Sequence, residues 1–137
     1  MIANKNLDLY GHSCAVANIK SSHNINLGRF GEEKVAHYLT ERRYEILDRN
    51  WRCQSGEIDL IAKSPAGTIV FIEVKTRMNN SFGHPLESID SIKQGRLTRL
   101  ARNWLRVNKF GAREYRIDCA AVTLAPELKI DYRIGVI

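Results

Sequence analysis

Gly56-Glu57-Ile58-Asp59-Leu60-Ile61-Ala62-Lys63, then Ser64-Pro65-Ala66-Gly67, then Thr68-Ile69-Val70-Phe71-Ile72-Glu73-Val74-Lys75: these twenty residues decide how the chain folds. Two runs rich in β-branched and aromatic residues flank a short stretch of turn formers, the pattern of two strands joined by a tight connection. Pro65-Ala66-Gly67 fits a three-residue hairpin loop, a type I turn followed by glycine in the left-handed region. Ser64 then faces Thr68, and pairing is symmetric about Ala66. In that register Asp59 lies opposite Glu73, Glu57 opposite Lys75 and Ile61 opposite Phe71. Directly opposed residues of an antiparallel pair share a face, and two facing carboxylates there cost up to about 1 kcal/mol. A fold that keeps them needs a cation between them. Lys75, two residues beyond Glu73, projects to the same face because strand side chains alternate.

Outward from this hairpin, apolar spacing predicts the other elements. A helix is expected over Gly28–Arg43, with Val35, Ala36 and Leu39 on one stripe. An extended segment, Tyr44–Arg52, leads into strands at Glu57–Lys63 and Thr68–Lys75. A second helix over Ser88–Asn108 carries Leu97, Leu100, Ala101, Trp104 and Leu105 at helical spacing. Tyr115–Leu124 and Ile130–Ile137 read as closing strands. The order α-β-β-β-α-β-β implies an α/β (α+β) fold, a mixed β-sheet with flanking helices. Residues 1–26 show no apolar periodicity and read as a flexible leader, which assigns residues 27–137 to a single domain.

Composition excludes several classes. The 137 residues include 44% hydrophobic and 26% charged residues, a globular mixture. No apolar run approaches the roughly 18 residues of a membrane span, so no membrane partner is expected. Met1–Asn26 lacks a basic start followed by an apolar core, so no secretory signal is read there. Cys14, Cys53 and Cys119 are odd in number and widely spaced, which argues against a disulfide scaffold and a thiolate zinc site. A reducing, cytoplasmic location is the expectation.

Asp59, Glu73 and Lys75 make a patch of two acids and one amine beside Phe71 and Ile61. Hard divalent cations favour such oxygen clusters, their remaining positions filled by water and substrate phosphate. A structural salt-bridge network is the alternative. Glu32 follows the same spacing as Val35, Ala36 and Leu39, so its carboxylate either turns toward the sheet and joins the patch or serves as an exposed charge at the helix start.

Asp59 followed by Glu73-Val74-Lys75 resembles the PD-(D/E)xK nuclease pattern, here without the leading Pro. The wider string resembles the YraN-like bacterial family: Gly28, Gly31-Glu32, Asn50-Trp51-Arg52, Gly56-Glu57-Ile58-Asp59-Leu60-Ile61, Phe71-Ile72-Glu73-Val74-Lys75-Thr76-Arg77, and Phe82-Gly83 with Pro85. That family is related in fold to restriction endonucleases and Holliday-junction resolvases. The resemblance implies a restriction-endonuclease-like domain that hydrolyses phosphodiester bonds, in DNA ahead of RNA and in branched or damaged DNA among the candidates. It makes Glu32, Asp59 and Glu73 the metal-site acids for Mg²⁺ or Mn²⁺, and Lys75 the catalytic lysine. Lys93-Gln94 matches a position that supports the site in resolvase-like relatives. Tyr115-Arg116-Ile117-Asp118 resembles a family strand motif, with Asp118 in a structural or supporting role.

From Leu86 to Arg116 there are eight Lys or Arg against three acids. Arg99, Arg102 and Arg106 group on a helical wheel opposite Leu97, Leu100 and Trp104, as a solvated face or a surface for backbone phosphates. Trp51 and Trp104 read as core, and His84 and Cys53 have no correctly spaced partner for a metal. Two functions remain: a metal-dependent nuclease, and a non-catalytic nucleic-acid-binding or assembly module that keeps the nuclease fold. A homodimer is left open in both.

Overall fold

A computed structural model describes residues 22–79, 90–111 and 113–137. The elements are α1 (Ser22–Glu41), β1 (Glu45–Cys53), β2 (Gly56–Lys63), β3 (Ile69–Arg77), α2 (Ser91–Val107), β4 (Tyr115–Thr123) and β5 (Lys129–Arg133). They form one mixed sheet in the order β1-β2-β3-β4-β5, with helices on both faces. Only β3 and β4 run parallel; the other pairs are antiparallel. A parallel neighbour needs a crossover, and α2 lies in the segment that supplies it. The expected fold class and element order are those observed.

Most boundaries fall within three residues of expectation, and two differ by more. α1 starts at Ser22 rather than Gly28 and takes in the last residues assigned to the leader. Each residue added to an existing helix brings its own hydrogen bond, so a helix outruns the apolar stripe that fixes it. Residues 1–21 and His84 lie outside the described residues. β5 ends at Arg133, not Ile137. Gly135 adopts φ +63°, and its N–H leaves the ladder to donate to Asp118 Oδ1 at 2.8 Å, while Val136 N–H donates to the Ile117 carbonyl at 2.9 Å.

The hairpin loop is as the sequence implies. Gly67 sits at φ +91°, Gly67 N–H donates to Ser64 O at 2.8 Å, and Ser64 N–H to Thr68 O at 2.8 Å. Strand alternation then builds two cores. Leu60, Ala62, Val70, Ile72, Val74, Ala120 and Val122 pack with Val35, Ala36 and Leu39 of α1. On the other face Ile61, Ile69, Phe71 and Ile117 pack with Leu97, Leu100, Ala101, Trp104 and Leu105 of α2. Trp104 is fully buried, edge-on to Phe71, with its Nε1 donating to Asp48 Oδ2 at 3.1 Å. Trp51 packs against the same core, so both tryptophans are structural.

Asp118, fully buried on β4, ties the far side of the sheet together. It accepts from Arg116 Nε at 2.9 Å and Nη2 at 3.1 Å, from Tyr132 Oη at 2.6 Å and from Gly135 N–H. Arg116 Nη2 also donates to Tyr44 Oη at 2.9 Å, so this cluster links β4 and β5 to Tyr44, the residue that precedes β1. Asp118 is thereby structural.

One close approach sets where α1 sits. A Cβ built on Gly31 would lie 1.8 Å from Thr76 Oγ1 and 2.9 Å from Thr76 Cβ, whereas one on Gly28 meets nothing within 4 Å. Gly31 thus lets the helix backbone lie directly on β3, next to Glu32. Both positions are helical, so alanine at either recovers about 1 kcal/mol of helix propensity. At Gly31 the overpacking, up to about 3 kcal/mol, exceeds that gain. Gly28→Ala is expected to raise the melting temperature or leave it unchanged, and Gly31→Ala to lower it by several degrees. Thermal denaturation of the two variants side by side checks this.

Candidate active site

The β2–β3 ladder opens where the two acids would meet. Lys63↔Ile69, Ala62↔Val70, Ile61↔Phe71 and Leu60↔Ile72 pair in the expected register, and then the paired ladder ends. The expected Asp59–Glu73 and Glu57–Lys75 pairs are not made. Asp59 Oδ2 instead accepts the backbone N–H of Val74 at 2.8 Å, standing in for a ladder carbonyl. Glu57 turns to Arg52 on β1, accepting from its Nε at 3.0 Å. Repulsion between opposed carboxylates favours this parting, and the side-chain hydrogen bond keeps the Val74 donor satisfied.

The parting rotates the strand. Ile58 and Leu60 are two residues apart, yet Leu60 joins the α1 core and Ile58 the α2 core. Asp59 is the residue between them. On its other side the β1 register skips it as well, passing from Arg49↔Leu60 to Trp51↔Ile58. The skipped β1 residue is Asn50, at φ +50°, a left-handed conformation that asparagine tolerates better than most. Its side chain hydrogen-bonds Glu32. Sequence patterning does not mark Asn50 as a site residue, although an asparagine inside a strand is itself an anomaly worth following.

Glu73 and Lys75 lie on the α2 side of β3, and the first turn of α2 brings Lys93 over them. Asp90 caps that turn, accepting from Lys93 N–H at 2.9 Å. Lys93 Nζ lies 3.2 Å from Glu73 Oε2, and Lys75 Nζ lies 3.6 Å from the same oxygen. The Glu73 side chain is only 11% exposed, so these pairs are well shielded from solvent. Lys93, not Lys75, is the nearer cation, and the two amines share the one carboxylate oxygen. Gln94 is half-buried on the same turn, its N–H closing on Asp90 O at 2.9 Å.

Burial, then the charge of Glu73, pushes the Asp59 carboxyl up to about 8. Burial and the neighbouring Lys93 lower the Lys75 ammonium against the pull of Glu73. Burial also opposes the charge on Lys93, but its neighbours Lys75 and Glu73 prevail and raise it. Cys119, paired with Glu73 in the β3–β4 register, is held up at about 12 by burial first and Glu73 next, which makes it an inert floor.

Glu32 is half-buried on the α1 side, and burial raises its carboxyl while Asn50 draws it down. The electrostatics of Asp59 and of Glu73 both reach it. Among the described residues, no three acidic, histidine or cysteine side chains gather closely enough to hold an ion together. The three expected acids thus do not gather into one cluster: Asp59 and Glu73 oppose each other's charge at the opening, while Glu32 lies on the α1 side near Asn50. Two carboxylates, each with one oxygen held by the protein, suit a cation that keeps several waters, such as Mg²⁺ or Mn²⁺. They do not amount to a closed zinc or calcium cage.

Arg99, Arg102 and Arg106 lie along α2 on the side away from the buried Leu97, Leu100 and Trp104, all three exposed. With Ser55, Leu100 and Asn103 they line an open concavity of about 480 Å³ between the helix and the β1–β2 turn. No described helix is long and apolar enough to cross a membrane.

Comparison with known proteins places the chain in a family. A Beutenbergia cavernae protein named "UPF0102 protein" is 43% identical over 112 residues, covering 80% of this chain and 94% of its own. A Rhodococcus opacus relative of the same name is 42% identical over 81% of this chain and 95% of its own. One from Caldicellulosiruptor saccharolyticus reaches 47% over 70% and 80%. Among solved structures, an EndoMS complex with double-stranded DNA aligns over 72% of this chain and 37% of that one, at 16% identity and TM-score 0.37. Pyrococcus furiosus SfsA with Ca²⁺ aligns over 75% and 58%, at 16% identity and TM-score 0.32. Likeness to solved structures at this level carries no functional weight. The "Uncharacterised protein family UPF0102" match runs over residues 31–122, and with these relatives it shows that the chain belongs to the UPF0102 (YraN-like) family.

Proposed function

We propose that this protein is a divalent-cation-dependent nuclease that hydrolyses phosphodiester bonds in nucleic acid, DNA ahead of RNA. The observation that carries the reading is the opened ladder, where Asp59 takes the Val74 N–H within electrostatic reach of Glu73, itself held by two amines. A sheet built only for stability gains nothing from two acids at a broken ladder. Asp59 and Glu73 would hold Mg²⁺ or Mn²⁺. When bound, the ion supplies positive charge against the scissile phosphate and acidifies a nearby water. Lys75, the more exposed amine, orients the attacking water or offsets charge building on the phosphate. Lys93 is the positioning residue, holding the Glu73 carboxylate from the first turn of α2. Glu32, through Asn50, contributes negative potential at the rim.

One observation favours the second reading, a non-catalytic nucleic-acid-binding module. Glu73 Oε2 already has two ammonium partners and needs no metal to be satisfied. A cleavage time course with Mg²⁺ or Mn²⁺ on linear, nicked, branched and single-stranded substrates separates the two. Asp59→Asn should abolish cleavage with the fold intact. Lys75→Met should retain Mn²⁺ binding by calorimetry and slow the chemistry by a factor of about 10² or more. Wild type that binds no divalent ion, even with nucleic acid present, leaves only the binding module.

The raised Asp59 carboxyl gives a pH test. At pH 7 the metal-free site keeps a proton that the unfolded chain, with its ordinary value of 3.8, has released. Metal-free protein should therefore lose stability as pH rises from about 4 to about 8, and Asp59→Asn should flatten that slope. Mn²⁺ must displace the same proton, so its affinity should fall up to about tenfold per pH unit below pH 8. Melting curves in a chelator and Mn²⁺ calorimetry across this range read both effects.

The arginines of α2 give a salt test. Replacing Arg99, Arg102 and Arg106 together with Gln should reduce the slope of log affinity against log salt by about 0.9 for each duplex phosphate that is no longer neutralised. Salt titrations of wild type and triple variant check this; an unchanged slope moves the binding face elsewhere.

A further inference from the structure

The C-terminal end of α2 borders a second concavity, of about 730 Å³, lined by Arg102, Leu105, Arg106, Lys109, Gly111, Arg113 and Tyr115. Four of these seven residues are cations and none is an acid. Leu105 and Tyr115 add apolar surface, so the concavity combines a cationic rim with a partly aromatic wall. Two of the cations, Arg106 and Arg113, are held in place. Arg113 Nη2 donates to the Gly67 carbonyl at 3.2 Å, and its guanidinium lies 5.6 Å from the centre of the Phe110 ring. Phe110 in turn stacks on the buried Trp104, and Arg106 donates to Asn103. Tyr115 is set edge-on against Phe71 of the core. At about 1.5 Å per residue, thirteen residues of helix put Arg106 roughly 20 Å along the axis from Lys93, well away from the acidic opening.

We infer that this concavity is a nucleotide pocket, which takes an unpaired base and its phosphate from a nucleic acid held along α2. Paired bases present only their edges and their backbone, which a row of arginines serves without an aromatic wall. An unpaired nucleotide brings a π-face for Tyr115 and a phosphate for Lys109 and Arg113. The inference deepens the nuclease reading and rests on it for the class of ligand: a duplex with a single-stranded tail or branch rather than a blunt duplex.

Fluorescence anisotropy in a chelator, with fluorescein-labelled DNA, tests it without cleavage. The probes are a blunt duplex of about 12 base pairs and the same duplex carrying a tail of about three nucleotides at its 5′ or 3′ end. Wild type should bind one tailed duplex at least about fivefold more tightly than the blunt one, the scale of one stacked base. The double variant Lys109→Gln/Arg113→Gln changes two exposed side chains and should bring that ratio to about one. Equal affinity of wild type for tailed and blunt probes overturns the inference, as does a variant that weakens both probes equally. Competition by a poly-glutamate peptide as strong as that by the tailed strand also overturns it, by showing a general anion surface. Metal-dependent cleavage without a tail preference sinks the pocket alone. A tail preference in a protein that cleaves nothing upholds the pocket and sinks the nuclease reading.

Discussion

A single hydrogen bond organises the centre of this molecule: Val74 N–H to Asp59 Oδ2. In an unbroken ladder that donor would meet a β2 carbonyl. By taking it with a side chain, Asp59 ends the pairing of β2 and β3 without stranding a buried donor, which would cost about 1–3 kcal/mol. Each strand still has a partner beyond the break, β2 on β1 and β3 on β4. The sheet can therefore open locally without coming apart. The two cores follow from the same event, since the half-turn at Asp59 sends Ile58 to α2 and Leu60 to α1.

The helices close on this opening from opposite sides, and each does so through a local device. On one face, the missing side chain of Gly31 lets α1 settle on Thr76 and carries Glu32 to the rim. On the other, the Asp90 cap starts α2 in the right place to set Lys93 against Glu73. Both devices are small. They depend on the apolar cores beneath them, where Val35 and Leu39, or Leu100 and Trp104, fix the helices against the sheet.

Much of this is legible in the sequence, and what is not has a physical reason. Pro65-Ala66-Gly67 sets the register because a left-handed glycine after a type I turn admits one pairing. That register holds for the four pairs nearest the loop. It fails beyond Leu60↔Ile72 because a pairing rule treats strands as continuous, and it assigns no role to a carboxylate that replaces a carbonyl. The end of β5 is misread for a related reason. Ile134, Val136 and Ile137 look strand-like, but Gly135 turns its N–H to a carboxylate seventeen residues away. Lys93 and Gln94 are reached through resemblance alone, since nothing in helical spacing says which exposed lysine will meet a particular acid. Asn50 stays hidden because its role depends on its conformation, and conformation inside a strand is not written in composition.

Two aspartates in the sheet show why the opening reads as a working site. Asp118 is fully buried and receives four hydrogen bonds, two of them from a guanidinium, so its charge is matched and its position fixed. Asp59 is partly buried, accepts one backbone N–H, and meets the opposing charge of a second acid. A buried carboxylate that is under-satisfied must hold a proton or find a cation. Asp118 needs neither, and no partner from outside could improve it. Asp59 needs one of them, and the two amines that could neutralise it are already turned to Glu73 Oε2. A divalent cation held by the two acids would relieve Asp59 without removing either amine from Glu73. The same difference in hydrogen bonding that makes Asp118 a latch leaves Asp59 with an unmet demand for positive charge.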